Sequence, residues 1–342
     1  MIDLSPSSTR AILAIIPNWL GDVAMCTPAL RAVHRRFPNA RIAVAGRASA
    51  CALLKDLPYI AERIVIPSKP SLLAMWTLSG RLRPYARDLA IVFPHSFRAA
   101  MLARLTRARI RVGYRRNGRQ WLLTHAVDPH RKDGRIEPVY MAREYLDLVM
   151  SVGADDDGAG LELRACESEV RAVRARMPAQ RPRVGIAPGA AFGPSKRWLP
   201  DRYAAVADAL ADRAGASCFL ITGPGEEETR EAVFHAAKRP LYILDDNRPS
   251  IDSLKATISQ LDLLIGNDSG PRHVAVAFGV PVICVMGSTA PAYSVGPYEK
   301  GEVLRIDVDC GPCQKPVCVT DHRCMTGVPV ERVVEAALRH LK

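Results

Sequence analysis

Ala11-Ile12-Leu13-Ala14-Ile15-Ile16-Pro17-Asn18-Trp19-Leu20-Gly21-Asp22 is the stretch that decides the fold. Ala11–Ile16 reads as a buried strand, because its apolar run shows none of the alternation of a strand with one wet face. Pro17 and Asn18 end it, and after the turn at Asn18–Asp22 the spacing becomes helical as far as about Phe37-Pro38. A strand that turns straight into a helix opens a parallel α/β unit. Further strands are expected at Arg41–Ala45, Ile64–Ile66, Asp88–Phe93 and Arg109–Val112, with helices at Ser96–Leu105 and Pro138–Val152.

Around Ala165–Arg183 the pattern becomes an Arg- and Glu-rich helix closing on Met177-Pro178-Ala179-Gln180-Arg181-Pro182, which reads as a linker. A second series of strands follows at Arg183–Ala187, Ser217–Thr222, Leu241–Leu244, Asp262–Gly266 and Pro281–Met286. Strand and helix alternate in both halves, so two parallel sheets with right-handed crossovers are expected. The expected fold class is therefore α/β, with two Rossmann-like domains facing a central cleft. The domains are taken as 1–165 and 183–342, with 166–182 between them; the final helix is a candidate to pack back on the first domain.

Composition narrows the function. The 342 residues are 48% apolar and 24% charged, which excludes collagenous, coiled-coil and wholly disordered chains. No apolar run approaches the roughly 20 residues of a spanning helix. Ala11–Leu20 lacks the basic flank and cleavage site of a signal peptide, so a cytosolic protein is expected. Residues 1–165 hold 25 Lys and Arg against 14 Asp and Glu, whereas residues 166–342 hold 22 against 21. A basic half usually meets an anionic partner such as nucleic acid, a membrane surface or a phosphorylated substrate; an Arg-rich solubility surface is the plainer alternative.

In a doubly wound sheet, ligands bind where strand ends pass into helix N-termini. Asp22 stands at such a point, either as a helix cap or as a general base beside the permissive Gly21. Pro188-Gly189-Ala190-Ala191-Phe192-Gly193-Pro194-Ser195-Lys196-Arg197-Trp198 combines glycines, backbone N–H groups and two cations, a composition suited to phosphate, though without Walker spacing. Gly266-Asn267-Asp268-Ser269-Gly270-Pro271-Arg272-His273 opens a helix and offers its dipole to an anion. Two such loops in one domain favour a diphosphate. Thr222-Gly223-Pro224-Gly225-Glu226-Glu227-Glu228 brings acids to another strand end, where ribose hydroxyls are commonly held.

These loops, together with Phe93-Pro94-His95-Ser96-Phe97-Arg98, occur in an order that resembles the ADP-heptose:lipopolysaccharide heptosyltransferase family, glycosyltransferase family 9. The resemblance spans roughly residues 11–290. It implies the two-domain GT-B fold and an inverting transfer of L-glycero-D-manno-heptose from ADP-heptose to the lipopolysaccharide inner core, with no required metal. It implies catalytic roles for Asp22, as base, and Lys196, as the cation facing the departing diphosphate. Lys196, Arg197, Glu227, Asp268, Ser269, Gly270 and His273 become donor-side residues. Gly21, His95, Ser96 and Arg98 become acceptor-side residues for an anionic lipid A–Kdo core, with His95 standing where an Asn is expected. The enzyme would then work at the inner face of the inner membrane, held there peripherally by its Arg-rich surface.

Asp155-Asp156-Asp157 and Asp307-Val308-Asp309 match the D-x-D pattern of metal-dependent transferases, but the first reads as a solvated loop and the second alternates along a strand end. Cys310, Cys313, Cys318 and Cys324 have the donor count of a structural zinc site; free thiols or a redox bridge are the alternatives. Two rival functions stand beside the heptosyltransferase. One is a related GT-B transferase with another nucleotide sugar or core position. The other is a basic nucleic-acid-binding protein with a zinc tail, which 6% aromatic content and the lack of a recognisable motif disfavour.

Overall fold

The computed structural model describes residues 4–68, 70–244 and 249–341. The chain divides into two compact units, Met1–Arg164 and Ala165–Lys342. In the first, the strands are β1 (Ala11–Ile15), β2 (Arg41–Gly46), β3 (Ile60–Val65), β4 (Leu89–Val92), β5 (Ile110–Tyr114) and β6 (His125–Val127). They form one parallel sheet in the order β3-β2-β1-β4-β5-β6. The helices are α1 (Leu20–Arg36), α2 (Ala48–Leu53), α3 (Leu72–Leu82), α4 (Phe97–Leu105) and α5 (Met141–Met150). Every residue of β1 is buried, as its unbroken apolar run requires of a central strand. Met75, Leu78 and Leu82 of α3 and Ala99, Leu102 and Ala103 of α4 pack on one face of the sheet, while α1 pairs with α5. A small hairpin, β7 (Arg131–Lys132) and β8 (Arg135–Ile136), precedes α5.

The second unit begins with α6 (Glu167–Arg176), which packs on a helix of its own unit instead of serving only as a linker. Then come β9 (Arg183–Ala187), α7 (Pro200–Ala214), β10 (Ser217–Leu220), α8 (Glu227–Ala236), β11 (Leu241–Tyr242) and α9 (Ile251–Ile258), the helix that receives α6. They are followed by β12 (Leu263–Asn267), α10 (Gly270–Ala277), β13 (Val282–Val285), α11 (Pro291–Ser294), β14 (Gly301–Leu304), α12 (Arg323–Thr326) and α13 (Val330–His340). The sheet order is β11-β10-β9-β12-β13-β14, all parallel. Each sheet therefore reverses direction at its first strand, between β1 and β4 and between β9 and β12, which is the Rossmann switch point. The final helix, α13, sets Val333, Val334, Ala336 and Ala337 into this unit's core beside α7 and β12–β14.

Several elements, β3, α3 and β14 among them, differ from the sequence reading. Strand β3 starts at Ile60, four residues before the apolar signal, because its polar residues Glu62 and Arg63 lie on a sheet edge. Helix α3 and strand β14 are additional. Among the described residues no helix is long and apolar enough to cross a membrane.

Candidate active site

In the first unit, Trp19 is the N-cap of α1 and makes no side-chain cap bond; Asp22 sits in the first turn, one position past the buried Gly21. Asp22 is therefore not the cap, and a carboxylate there still favours the positive helix end. Its charge reaches α5: burial first, and then Asp22, push the Tyr145 hydroxyl well above its ordinary range. The neighbouring residue on α5, Glu144, is buried and faces the loop that carries His95. His95 Nε2 lies 2.8 Å from Glu144 Oε1, close but off hydrogen-bond alignment, and Arg116 Nη2 approaches the same oxygen to 3.2 Å. Tyr114, at the end of β5, donates to the Glu144 carbonyl at 2.6 Å.

The loop that carries His95 is braced from beneath. Fully buried Arg119 donates to the carbonyls of Tyr114 and Ser96 at 3.1 Å each, and also to that of Pro94. Burial, then the nearby Arg116, lowers its pKa to about 10. Asn117 donates to the His95 carbonyl at 2.9 Å. Ser96 spends its hydroxyl as the cap of α4, accepting from the Ala99 N–H at 3.2 Å, and Arg98 is exposed. Sequence reading missed Glu144, Arg116, Arg119 and Tyr145, whose partners lie far along the chain.

In the second unit the hub is Asn267-Asp268, where β12 ends. Asn267 Oδ1 accepts from the Trp198 N–H (3.1 Å) and the Tyr203 hydroxyl (2.8 Å), and its amide donates to the Pro188 carbonyl at 2.7 Å. One side chain thus ties the phosphate-type loop to the strand end. Trp198 itself is buried in the core. Asp268 Oδ2 accepts from Lys196 Nζ (2.8 Å) and Thr289 Oγ1 (2.7 Å); its Oδ1 accepts from Arg272 Nη1 (2.8 Å). Burial opposes ionisation here, but Lys196 and Arg272 outweigh it and hold the carboxyl far below the usual range. Arg272 is in turn clamped by both oxygens of Glu299 at 2.6 and 2.7 Å. Arg272, Thr289 and Glu299 complete the hub and were not singled out from the sequence. Only the position of Arg272, one helical turn after Asp268, could have signalled them.

The remaining donor-side residues divide. Lys196 spends two of its donors on Asp268 and lies 5.2 Å from the Phe192 ring centre. The N–H groups of Ser195, Lys196 and Arg197 are already bonded, to Pro316, Gly193 and Pro194, so the anion capacity expected of that backbone stretch is reduced. Gly193, at φ +152°, has no room for a side chain because the Pro316 carbonyl would lie 2.2 Å from a Cβ. Arg197 turns toward the Ala190 carbonyl. Ser269 caps α10 without a side-chain bond, and its Oγ is buried with no hydrogen-bond partner, next to Gly270 in the first turn. Glu227 is exposed and accepts from the Gly225 N–H. Its neighbour Glu226 takes the inward place, accepting from Gly223 at 2.7 Å and filling the space over Gly189.

His273 is buried 3.9 Å from Asp268 Oδ1. Burial, then the neighbouring Arg272, lowers its pKa to about 3. The four tail cysteines line a single cavity with Ser195 and His322. Among the described residues no three His, Cys, Asp or Glu side chains form a group able to hold a metal ion, so the zinc reading of the tail is not supported. The tail instead braces the Lys196 turn, since the Pro316 carbonyl takes the Ser195 N–H and His322 Nε2 lies 3.0 Å from the Ser195 carbonyl. Asp157 of the first D-x-D is likewise structural, held by Arg31 at 2.7 Å.

A histidine that is neutral in the folded state and ordinary in the unfolded state opposes folding once the pH falls below its ordinary value near 6.5. The unfolded chain takes up the proton there and the folded chain does not, so stability falls with pH until the folded value near 3 is reached. His273→Gln should flatten the decline in urea midpoint between pH 7 and pH 5; an unchanged slope contradicts this account of His273.

The pattern of glycosyltransferase family 9 (heptosyltransferase) matches residues 75–323. Lipopolysaccharide heptosyltransferase 2 of Escherichia coli strain K12 is 27% identical over 340 residues, covering 95% of this chain and 96% of its own length. Lipooligosaccharide heptosyltransferase 2 of Campylobacter jejuni is 25% identical over 341 residues, covering 96% and 97%. Among solved structures, E. coli ADP-heptose LPS heptosyltransferase II aligns with a TM-score of 0.81 at 25% identity, over 97% of this chain and 98% of that one. A glycosyl transferase family 9 protein of Veillonella parvula aligns at 0.84 and 22% identity over 99% and 98%, and so shares the fold. The two switch points, the loops that end on them and a family pattern matched from residue 75 to residue 323 agree: this chain belongs to glycosyltransferase family 9, the heptosyltransferases.

Proposed function

We propose that this glycosyltransferase moves L-glycero-D-manno-heptose from ADP-heptose to the inner core of lipopolysaccharide, as a heptosyltransferase II does. The observation that carries this reading is the Asp268 hub: a buried carboxylate orients Lys196 beside the N-terminus of α10, where the unpartnered Ser269 hydroxyl and the Gly270 N–H sit. That combination suits a diphosphate leaving group. Lys196 keeps a third donor for a phosphate oxygen, because Asp268 takes only two. Asp268 itself is saturated by Lys196, Arg272 and Thr289, so it orients the site instead of gripping the sugar. Buried, neutral His273 supports the same hub.

The donor's ribose falls to the acidic turn. Glu226 is better placed there than Glu227, being turned inward over Gly189. A small cavity beyond β10, lined by Ile221, Thr222, Leu244, Pro249 and Leu254, offers apolar walls to the base. Arg197 adds charge near the phosphates.

In the first unit, Asp22 takes the proton from the acceptor hydroxyl as that oxygen forms its bond to the anomeric carbon. The anomeric carbon–phosphate bond breaks at the same time, its electron pair leaving with ADP. Attack on the face opposite the leaving group gives inversion. Proton transfer late in the step suits a weak carboxylate base. Gly21 lets the acceptor approach the backbone, and His95, Ser96 and Arg98 face its anionic core sugars. The enzyme works without a required metal, at the cytoplasmic face of the inner membrane.

The test is transfer by the purified chain to heptose-truncated lipopolysaccharide, read as ADP release and as the acceptor's mass gain. A single heptose should be added. Asp22→Asn should cut turnover by roughly 10²–10⁴-fold and leave ADP affinity unchanged; near-normal turnover removes Asp22 as the base. Lys196→Ala should weaken ADP binding about tenfold or more and slow transfer as well; unchanged values for both remove Lys196 from the site.

A further inference from the structure

Helix α3 is amphipathic in an unusual way for a soluble surface. Its inner stripe of Met75, Leu78 and Leu82 enters the core, yet its outer side is also apolar, with Leu72 85%, Leu73 74% and Trp76 67% exposed. Helix α4 packs beside it on the same sheet face, followed by the short helix Gln120–Leu122. These add exposed Phe97 and Trp121, whose ring centres are 5.8 Å apart. Two Trp, one Phe and two Leu side chains are thus exposed on neighbouring helices of one layer, more apolar surface than a monomer in water needs.

The charge around the patch says what covers it. Residues 63–127 contain thirteen Lys and Arg and a single acid, Asp88. Asp88 is already occupied by the backbone N–H groups of Arg10 and Ala11, at the amino end of the strands. Exposed Arg81, Arg83, Arg104 and Arg107 make no ion pair among the described residues. Aromatic and leucine side chains on helices that also carry unpaired arginines match the two attractions of a bilayer interface: apolar insertion below the headgroups and Coulomb attraction to anionic lipid. A protein partner would have to supply a large, strongly acidic surface with an apolar centre.

We propose that the outer face of α3, with Phe97 and Trp121 beside it, docks on an anionic phospholipid bilayer. Leu72, Leu73 and Trp76 enter the interface and Arg81, Arg83, Arg104 and Arg107 hold the headgroups. This goes beyond the transfer reaction and stands without it, since the surface recognises lipid and not the acceptor sugars. It gives the peripheral attachment a definite face, in place of diffuse attraction by a basic domain.

The test uses the full chain and vesicles free of lipopolysaccharide, either phosphatidylcholine alone or with about 30% phosphatidylglycerol. The chain should sediment with the anionic vesicles, dissociate as salt rises, and show tryptophan quenching by lipids brominated in the acyl chain. Leu73→Ser with Trp76→Ser should weaken vesicle binding about tenfold or more and remove most of the quenching, while ADP affinity stays unchanged. Wild-type vesicle binding by this double variant overturns the proposal. So does equal binding to the neutral vesicles, or a dimer in solution that the double variant abolishes. Each of these results leaves the transfer reading untouched, because no acceptor is present.

Discussion

A buried carboxylate has to be neutralised, and the second unit is arranged around that requirement at Asp268. Left alone, the charge would cost several kcal/mol. Lys196, Arg272 and Thr289 surround it, and Glu299 holds Arg272 in turn. The phosphate-type loop is thereby fixed to the end of β12, and a cation is set beside the N-terminus of α10. Asn267 does the same for the backbone, tying Pro188 and Trp198 together through one amide. A site built on two adjacent side chains at a strand end is rigid before any ligand arrives, which is what stabilising a departing charge requires.

The first unit solves a different problem. Its acceptor-side loop has few internal bonds, so Arg119 and Asn117 grip its carbonyls from the next strand connection. Helix α5 supplies Glu144 toward His95 and Tyr145 toward Asp22 from consecutive positions. The proposed base and the proposed acceptor contact are thus supported by one helix.

Much of this was legible in the sequence, for physical reasons. Central strands carry unbroken apolar runs, so β1, β9 and β12 stand out, and the loops after them carry the residues proposed for the site. Edge strand β3 was only half visible because Glu62 and Arg63 interrupt its pattern. Among acidic neighbours, pattern alone could not tell that Glu226 turns inward over Gly189 while Glu227 stays exposed. Ser96 also serves as a helix cap, a second role that asks for the same residue type, so sequence alone does not separate the two. Glu144 and Arg119 were invisible because His95, Ser96 and Pro94, which meet them, lie 23 to 49 residues away, and no local spacing announces it. The cysteine tail has the donor count of a zinc site but not the convergence of one.

The central claim is that the second unit holds an adenosine diphosphate sugar. Titration calorimetry of the full chain against ADP, UDP, GDP and ADP-heptose tests it most directly. The account predicts that ADP and ADP-heptose bind while UDP and GDP bind at least about tenfold more weakly, since only the base distinguishes the three diphosphates. Tighter binding of UDP or GDP, or no binding of any of the four, would contradict it.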